Sequence, residues 1–171
     1  MRHSEKSLDE FIPKSVSVFF LQQFLSTVQR MKQETLRQIA DRSLVAAITR
    51  DHARVWLLNE DVEEPVVVLN REESDIRHVR SAQANHGHAS DIGEIPYFAE
   101  LATVLSVGSN VVLVGHGTGK ANAMNRFVDY LALHNEPLHQ RIAATGNANI
   151  GAMTGTQIIQ DARRKWRQAH I

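Results

Sequence analysis

No cysteine occurs in the 171-residue sequence. Disulfide staples, thiolate zinc sites and cysteine nucleophiles are thereby excluded together. An excess of charge of one sign is also lacking. Lys and Arg total 19 and Asp and Glu total 19, so the chain as a whole does not announce a strongly basic nucleic-acid binder. Long hydrophobic runs are missing too. The most apolar early stretch, Val16 to Leu25, is ten residues long and contains Gln22 and Gln23, too short to span a bilayer. It makes a poor export signal, because Glu5, Asp9 and Glu10 precede it and no small-residue cleavage site follows. A cytoplasmic location without a membrane anchor is expected. What is present is ordinary for a globular chain: 43% hydrophobic and 22% charged residues, at a length that can bury one real core.

The balanced total hides segregation. Ser15 to Leu58 carries six basic and three acidic residues, Asn59 to Glu100 three basic and ten acidic, and Ile150 to Ile171 four basic and one acidic. Such blocks describe a surface of two signs. They read either as ordinary solvated faces or as basic ends that form a patch for RNA phosphates.

Residues 1–42 read as a polar tail followed by an amphipathic helix from about Ser15 to Asp41. Leu21, Phe24, Val28, Met31 and Ile39 recur at helical spacing, with Leu25 and Leu36 widening the stripe. That stripe suits either the domain's own sheet or the seam of a homodimer.

Residues 43–171 read as an α/β domain. Leu44 to Thr49 and Arg54 to Leu58 predict an antiparallel hairpin turning at Arg50 to Ala53, and Pro65 to Leu69 a third strand. Residues 71–95 read as a polar loop, and Pro96 to Ser106 as a helix. Val111 to Val114 is a continuous apolar run, expected of a strand covered on both faces. A helix using Met124, Phe127, Val128 and Leu131 follows, then a short strand at Arg141 to Ala144. Thr154 and Gln157 have capping-box spacing ahead of a last helix that buries Ile158, Ile159, Ala162 and Trp166. The order predicts a three-layer α/β/α sandwich with a mixed sheet, preceded by the long N-terminal helix.

Three constellations could carry chemistry. Gly115-His116-Gly117-Thr118-Gly119-Lys120 follows a buried strand and opens a helix, where free amides and the helix dipole favour an anion. It is neither a Walker loop nor a dinucleotide fingerprint. Only three residues separate Gly115 from Gly119, Ala121 stands where Ser or Thr should follow the Lys, and Lys120 stands where a third Gly should be. The turn therefore reads as an anion or nucleotide site, or as a close-packing turn, with His116 able to donate to a phosphate or titrate near neutrality. The second constellation is His78, His86 and His88 near Asp91 in the polar loop. It lacks the supporting ligands a metal site needs, so no metal is expected. Third, no nucleophile elbow occurs and the acids do not gather at strand ends. No catalytic residue and no cofactor are expected.

From Leu44 to Trp166 the sequence resembles the small bacterial proteins labelled translational machinery protein. These are similar to the third, C-terminal domain of the archaeal and eukaryotic peptide-chain release factor and of Pelota. The resemblance is carried by the hairpin LVAAITRDHARVWLL, the loop His78 to His88, the helix YFAELATVL and the strand and turn VVLVGHGTGK. It continues through RIAAT, the Thr154-Gly155-Thr156-Gln157 helix start and the terminus ARRKW. His116 takes the place of a Pro in the family's turn, and no Gly-Gly-Gln tripeptide is present, so peptidyl-tRNA hydrolysis is not carried over. The resemblance implies a fold like that of ribosomal proteins that bind kink-turn RNA, and a role around the ribosome or RNA.

The first expectation is thus a non-enzymatic ribosome- or RNA-associated factor. Its contacts would be Gly115 to Lys120 together with Arg163, Arg164, Lys165 and Arg167. An interaction module dimerising through Leu21, Phe24, Val28 and Met31 is a second reading, with a protein partner in place of RNA. An anion- or nucleotide-binding protein using the glycine turn is a third.

Overall fold

Leu44-Val45-Ala46-Ala47-Ile48 contains no polar side chain, and such a strand has to be covered on both faces. The computed structural model, which describes residues 32–61, 64–71 and 94–171 and leaves the side chain of Lys120 undescribed, buries all five at 0% exposure. The chain divides into two units, Met1–Gln38 and Ile39–Ile171. Of the first, residues 32–38 are described. They are helical, and Glu34 and Arg37 lie 3.9 Å apart on an exposed side. The expected stripe at Leu21, Phe24, Val28 and Met31 lies outside the described residues. The helix runs to Ile39, and the turn that follows holds Asp41 at a φ of 57°, which Asp tolerates better than most residues.

The second unit holds β1 (Leu44–Ile48), β2 (His52–Leu57) and β3 (Val66–Leu69), then α1 (Glu94–Leu105) and β4 (Val111–Gly115). It continues with α2 (Ala123–His134), the short α3 (Glu136–His139), β5 (Ile142–Asn147) and α4 (Gly155–Ala169). The five strands form one sheet in the order β3-β2-β1-β4-β5. The hairpin pairs β1–β2 and β2–β3 are antiparallel, whereas β1–β4 and β4–β5 are parallel. This is the mixed sheet expected from three strands without intervening helices followed by two that each need a crossover.

Side-chain alternation sorts the core into two layers. Val45, Ala47, Trp56, Val112 and Val114 point to the face covered by Ile158, Ile159 and Ala162 of α4. The opposite face carries Leu44, Ala46, Ile48 and Leu113, and there Phe98 of α1 meets Phe127 of α2 with ring centroids 5.4 Å apart. Phe127 is 0% exposed, and burying it is worth about 1.5–3 kcal/mol. Glu94 in the first turn of α1 is 5% exposed and pairs with Arg126 of α2 at 2.6 Å, tying the two helices at one end.

Boundaries differ from expectation in four places. The β1–β2 turn is shorter than Arg50 to Ala53, because the Thr49 hydroxyl donates to His52 O at 2.7 Å and accepts from His52 N at 3.1 Å. That closure lets β2 begin at His52. Helix α1 starts at Glu94, two residues before Pro96, because a Pro in the first turn costs no helical hydrogen bond. Helix α3 is an additional turn capped by Asn135, whose Oδ1 accepts from Leu138 N at 3.2 Å. Strand β5 runs on to Asn147 because parallel pairing with Leu113 to Gly115 holds Thr145 to Asn147 in line.

Candidate functional site

Strands β1, β4 and β5 run the same way and end level with one another, Ile48 beside Gly115 and Gly115 beside Asn147. Loops leaving such an edge are where α/β sheets hold ligands. The loop after β4 is the glycine turn. Gly117 at φ 87° and Gly119 at φ 61° adopt the left-handed region that side chains disfavour, and residues 116–119 are exposed.

The turn is held from below by Asn122, which is 0% exposed. Its Nδ2 donates to Asn147 Oδ1 at 2.7 Å and to Gly117 O at 3.2 Å, and its Oδ1 accepts from Met124 N at 2.9 Å. One amide thus fastens the turn to β5 and caps α2 at the same time. Gly115 leaves room for it, since a Cβ there would stand 2.5 Å from Asn122 Oδ1. The cap has a chemical consequence: an anion at the start of α2 would find the Met124 amide already engaged. On the rim, His116 Nδ1 sits 3.2 Å from Ala148 O.

Next to it, the β1–β2 turn brings polar groups together. Tyr97 Oη donates to Thr49 O at 3.1 Å, and Asn70 Nδ2 donates to Arg50 O at 3.0 Å. Burial raises the Tyr97 phenol above its ordinary range, with Glu94 and Asp51 adding to the effect. Burial lowers the His52 imidazole, Arg54 lowers it further, and Asp51 opposes both. Thr49 Oγ1 lies 3.4 Å from His52 Nδ1. These groups close a turn, with the Thr49 hydroxyl donating to His52 O at 2.7 Å.

The basic residues expected at the end of the chain lie on α4. Arg163 donates through Nε to Leu58 O at 2.6 Å and pairs through Nη1 with Asp61 at 2.9 Å. Arg164 and Lys165 both pair with Asp161. Burial pushes the Asp161 carboxyl up, but the hydrogen bonds and charges of Lys165 and Arg164 outweigh it and hold the group below the ordinary carboxylate range. The Lys165 stem lies against Gly146 of β5. Arg167 is exposed, one helical turn beyond Arg163.

Arg163 and the glycine turn lie at opposite ends of the strands. Leu58 N bonds Ser43 O, five residues along β1 from the level of Gly115, roughly 16 Å at the usual strand rise. Arg42 pairs with Glu60, the residue before Asp61. Sequence reading passed over Arg42, Glu60 and Asn122. An Asn directly before a helical stripe is an N-cap signal that could have found Asn122. The arginine partners carry no local signal, because they are far apart in the chain.

His78, His86, His88 and Asp91 lie outside the described residues. Among the described residues, no group of three His, Cys, Asp or Glu could hold a metal ion, and no helix is long and apolar enough to cross a membrane.

No protein-family model matches the chain, and no curated protein matches it either. Among solved structures, Pelota of Archaeoglobus fulgidus is similar with a TM-score of 0.44 and 14% identity, over 81% of this chain and 36% of that one. This chain therefore spans little more than a third of the Pelota chain, and the likeness is a weak structural similarity that carries no argument about function.

Proposed function

We propose that the protein is a non-enzymatic RNA-binding factor associated with the translation machinery, and that α4 is its principal contact surface. The observation that supports this is the crowding of Arg163, Arg164, Lys165 and Arg167 onto the last turns of one helix. Arg164 keeps 63% of its side chain exposed and Arg167 is exposed beside it. Guanidinium groups displayed in that way suit the planar, bidentate recognition of phosphate. Lys165 contributes as a held charge. The glycine turn, with His116 and Lys120, is a separate second contact at the far end of the strands.

The test is fluorescence anisotropy of a labelled single-stranded RNA titrated with the 171-residue chain at two salt concentrations. Affinity should fall steeply as salt rises, and Arg164→Ala with Arg167→Ala should weaken binding across sequences and flatten the salt slope by about 0.7 per lost phosphate contact. An RNA that fails to bind at low salt overturns the reading.

A reading as a homodimer through Leu21, Phe24, Val28 and Met31 is kept as a proposal of its own, tested by light scattering on the intact chain.

A further inference from the structure

The turn after β2 places two acids side by side, and each holds an arginine from a distant part of the chain. Glu60 pairs with Arg42, which precedes β1, and Asp61 pairs with Arg163 of α4 at 2.9 Å. Both acids are on the surface, with side chains 40% and 67% exposed. Ion pairs so placed add little to stability, typically well under about 1 kcal/mol each, so folding alone gives little reason for them. They do neutralise two guanidinium groups, one of which, on Arg163, lies one helical turn before the exposed Arg167. Arg163 remains positioned without Asp61, because its Nε is fixed on Leu58 O at 2.6 Å. One edge of its guanidinium is anchored, and the edge that meets Asp61 is the one a phosphate would use.

We propose that Glu60 and Asp61 form an autoinhibitory phosphate mimic, which occupies Arg42 and Arg163 until an RNA backbone displaces it. The inference rests on the RNA reading above and adds its regulation. Carboxylates and phosphates compete for the same guanidinium edges. The acids therefore disfavour partners that reach only Arg42 or Arg163 and favour those that also gain contacts elsewhere on α4, such as the exposed Arg167. A short polyanion has few other contacts to offset the loss of these pairs, whereas a longer backbone offsets it with contacts beyond them.

The experiment compares the 171-residue chain, its Glu60→Gln with Asp61→Asn variant, and a control carrying Asp129→Asn and Glu136→Gln. All are titrated against the same single-stranded RNA oligonucleotide. Asp129 and Glu136 are exposed on α2 and α3, across the sheet from α4, so the control makes the same change in net charge elsewhere. The acid-turn variant should bind about tenfold tighter at low salt, and the advantage should shrink as salt weakens the ion pairs that the parent must break. The control should change affinity less than about twofold, because distant exposed charges are screened. Equal tightening in both variants overturns the proposal, since net charge alone would then account for it. Unchanged or weaker binding by the acid-turn variant, with RNA still bound by the parent, overturns the proposal and leaves the RNA reading standing. Absence of binding by parent and variants alike overturns both. Matching thermal melts show that the variants fold.

Discussion

The glycine turn and the acid turn sit at opposite ends of the same strands and are built from different materials. At the glycine turn, apart from His116 on the rim, the described polar contacts are backbone groups and neutral amides, centred on Asn122 at 0% exposure. At the acid turn, Arg42, Glu60, Asp61 and Arg163 meet through charges that stay partly in water. Buried amide hydrogen bonds hold one geometry at any salt concentration, because a broken one leaves an unsatisfied group behind. Exposed ion pairs are soft by comparison. They weaken with salt and exchange partners at little cost. The described contacts are thus of two kinds, a buried amide network at one end of the sheet and partly exposed ion pairs at the other, and the proposed polyanion contact relies on the second.

Substitutions can break this contrast. The largest effect is expected from Asn122→Ala, which removes the α2 cap and the donors to Gly117 and Asn147 together. A loss of about 2–3 kcal/mol follows from the cap and the unsatisfied partners, seen as a melting temperature lower by roughly 5–10 °C. A loss below about 0.5 kcal/mol would mean that the turn does not depend on its amide.

Asp161→Asn comes next, at about 1–2 kcal/mol, since Arg164 and Lys165 lose a common carboxylate. Its pH dependence has a definite sign. The folded carboxyl is held below its ordinary value, so its stabilisation is complete above about pH 4 and lost as pH falls through the depressed value. The Asn variant should therefore lose the part of the acid-induced decline that begins below about pH 4, measured by urea unfolding at successive pH values.

Glu60→Gln with Asp61→Asn should cost at most about 1 kcal/mol in total, and the stability difference from the parent should shrink as salt is added. A larger cost that ignores salt would place the acid turn with the rigid end and remove the contrast. The smallest effect is expected at His52. Burial lowers its imidazole below 6.5, so the neutral form is favoured on folding. The stability it contributes is present above that value and declines as pH falls through the lowered one. His52→Gln should flatten that shallow slope in an acid titration of the melting temperature.

Much of the second unit was legible before its structure was known. Leu44 to Ile48 and Val111 to Val114 advertise doubly covered strands because they lack polar residues. Thr154 and Gln157 form the expected capping box, Gln157 N reaching Thr154 Oγ1 at 3.3 Å and Thr154 N reaching Gln157 Oε1 at 2.9 Å. The candidate site was legible in part. The glycines of the turn stood out because their backbone angles demand them, and the cations of α4 because they are consecutive. What they touch was hidden. Asp61 and Arg163 are 102 positions apart, and nothing in either neighbourhood names the other. Nor did local pattern separate Arg163 from the glycine turn by the length of a strand.

The sequence by itself determined which segments are strands and helices, where β1 and β4 must be buried, and where α4 begins. Those properties follow from side-chain period, polarity and capping within a few residues. Only the tertiary structure decided that Asn122 locks the glycine turn to β5 and that one acid turn gathers arginines from both ends of the domain. Such pairings join residues far apart in the chain, and their partners are set by how the crossovers stack the elements. No short window of sequence encodes that.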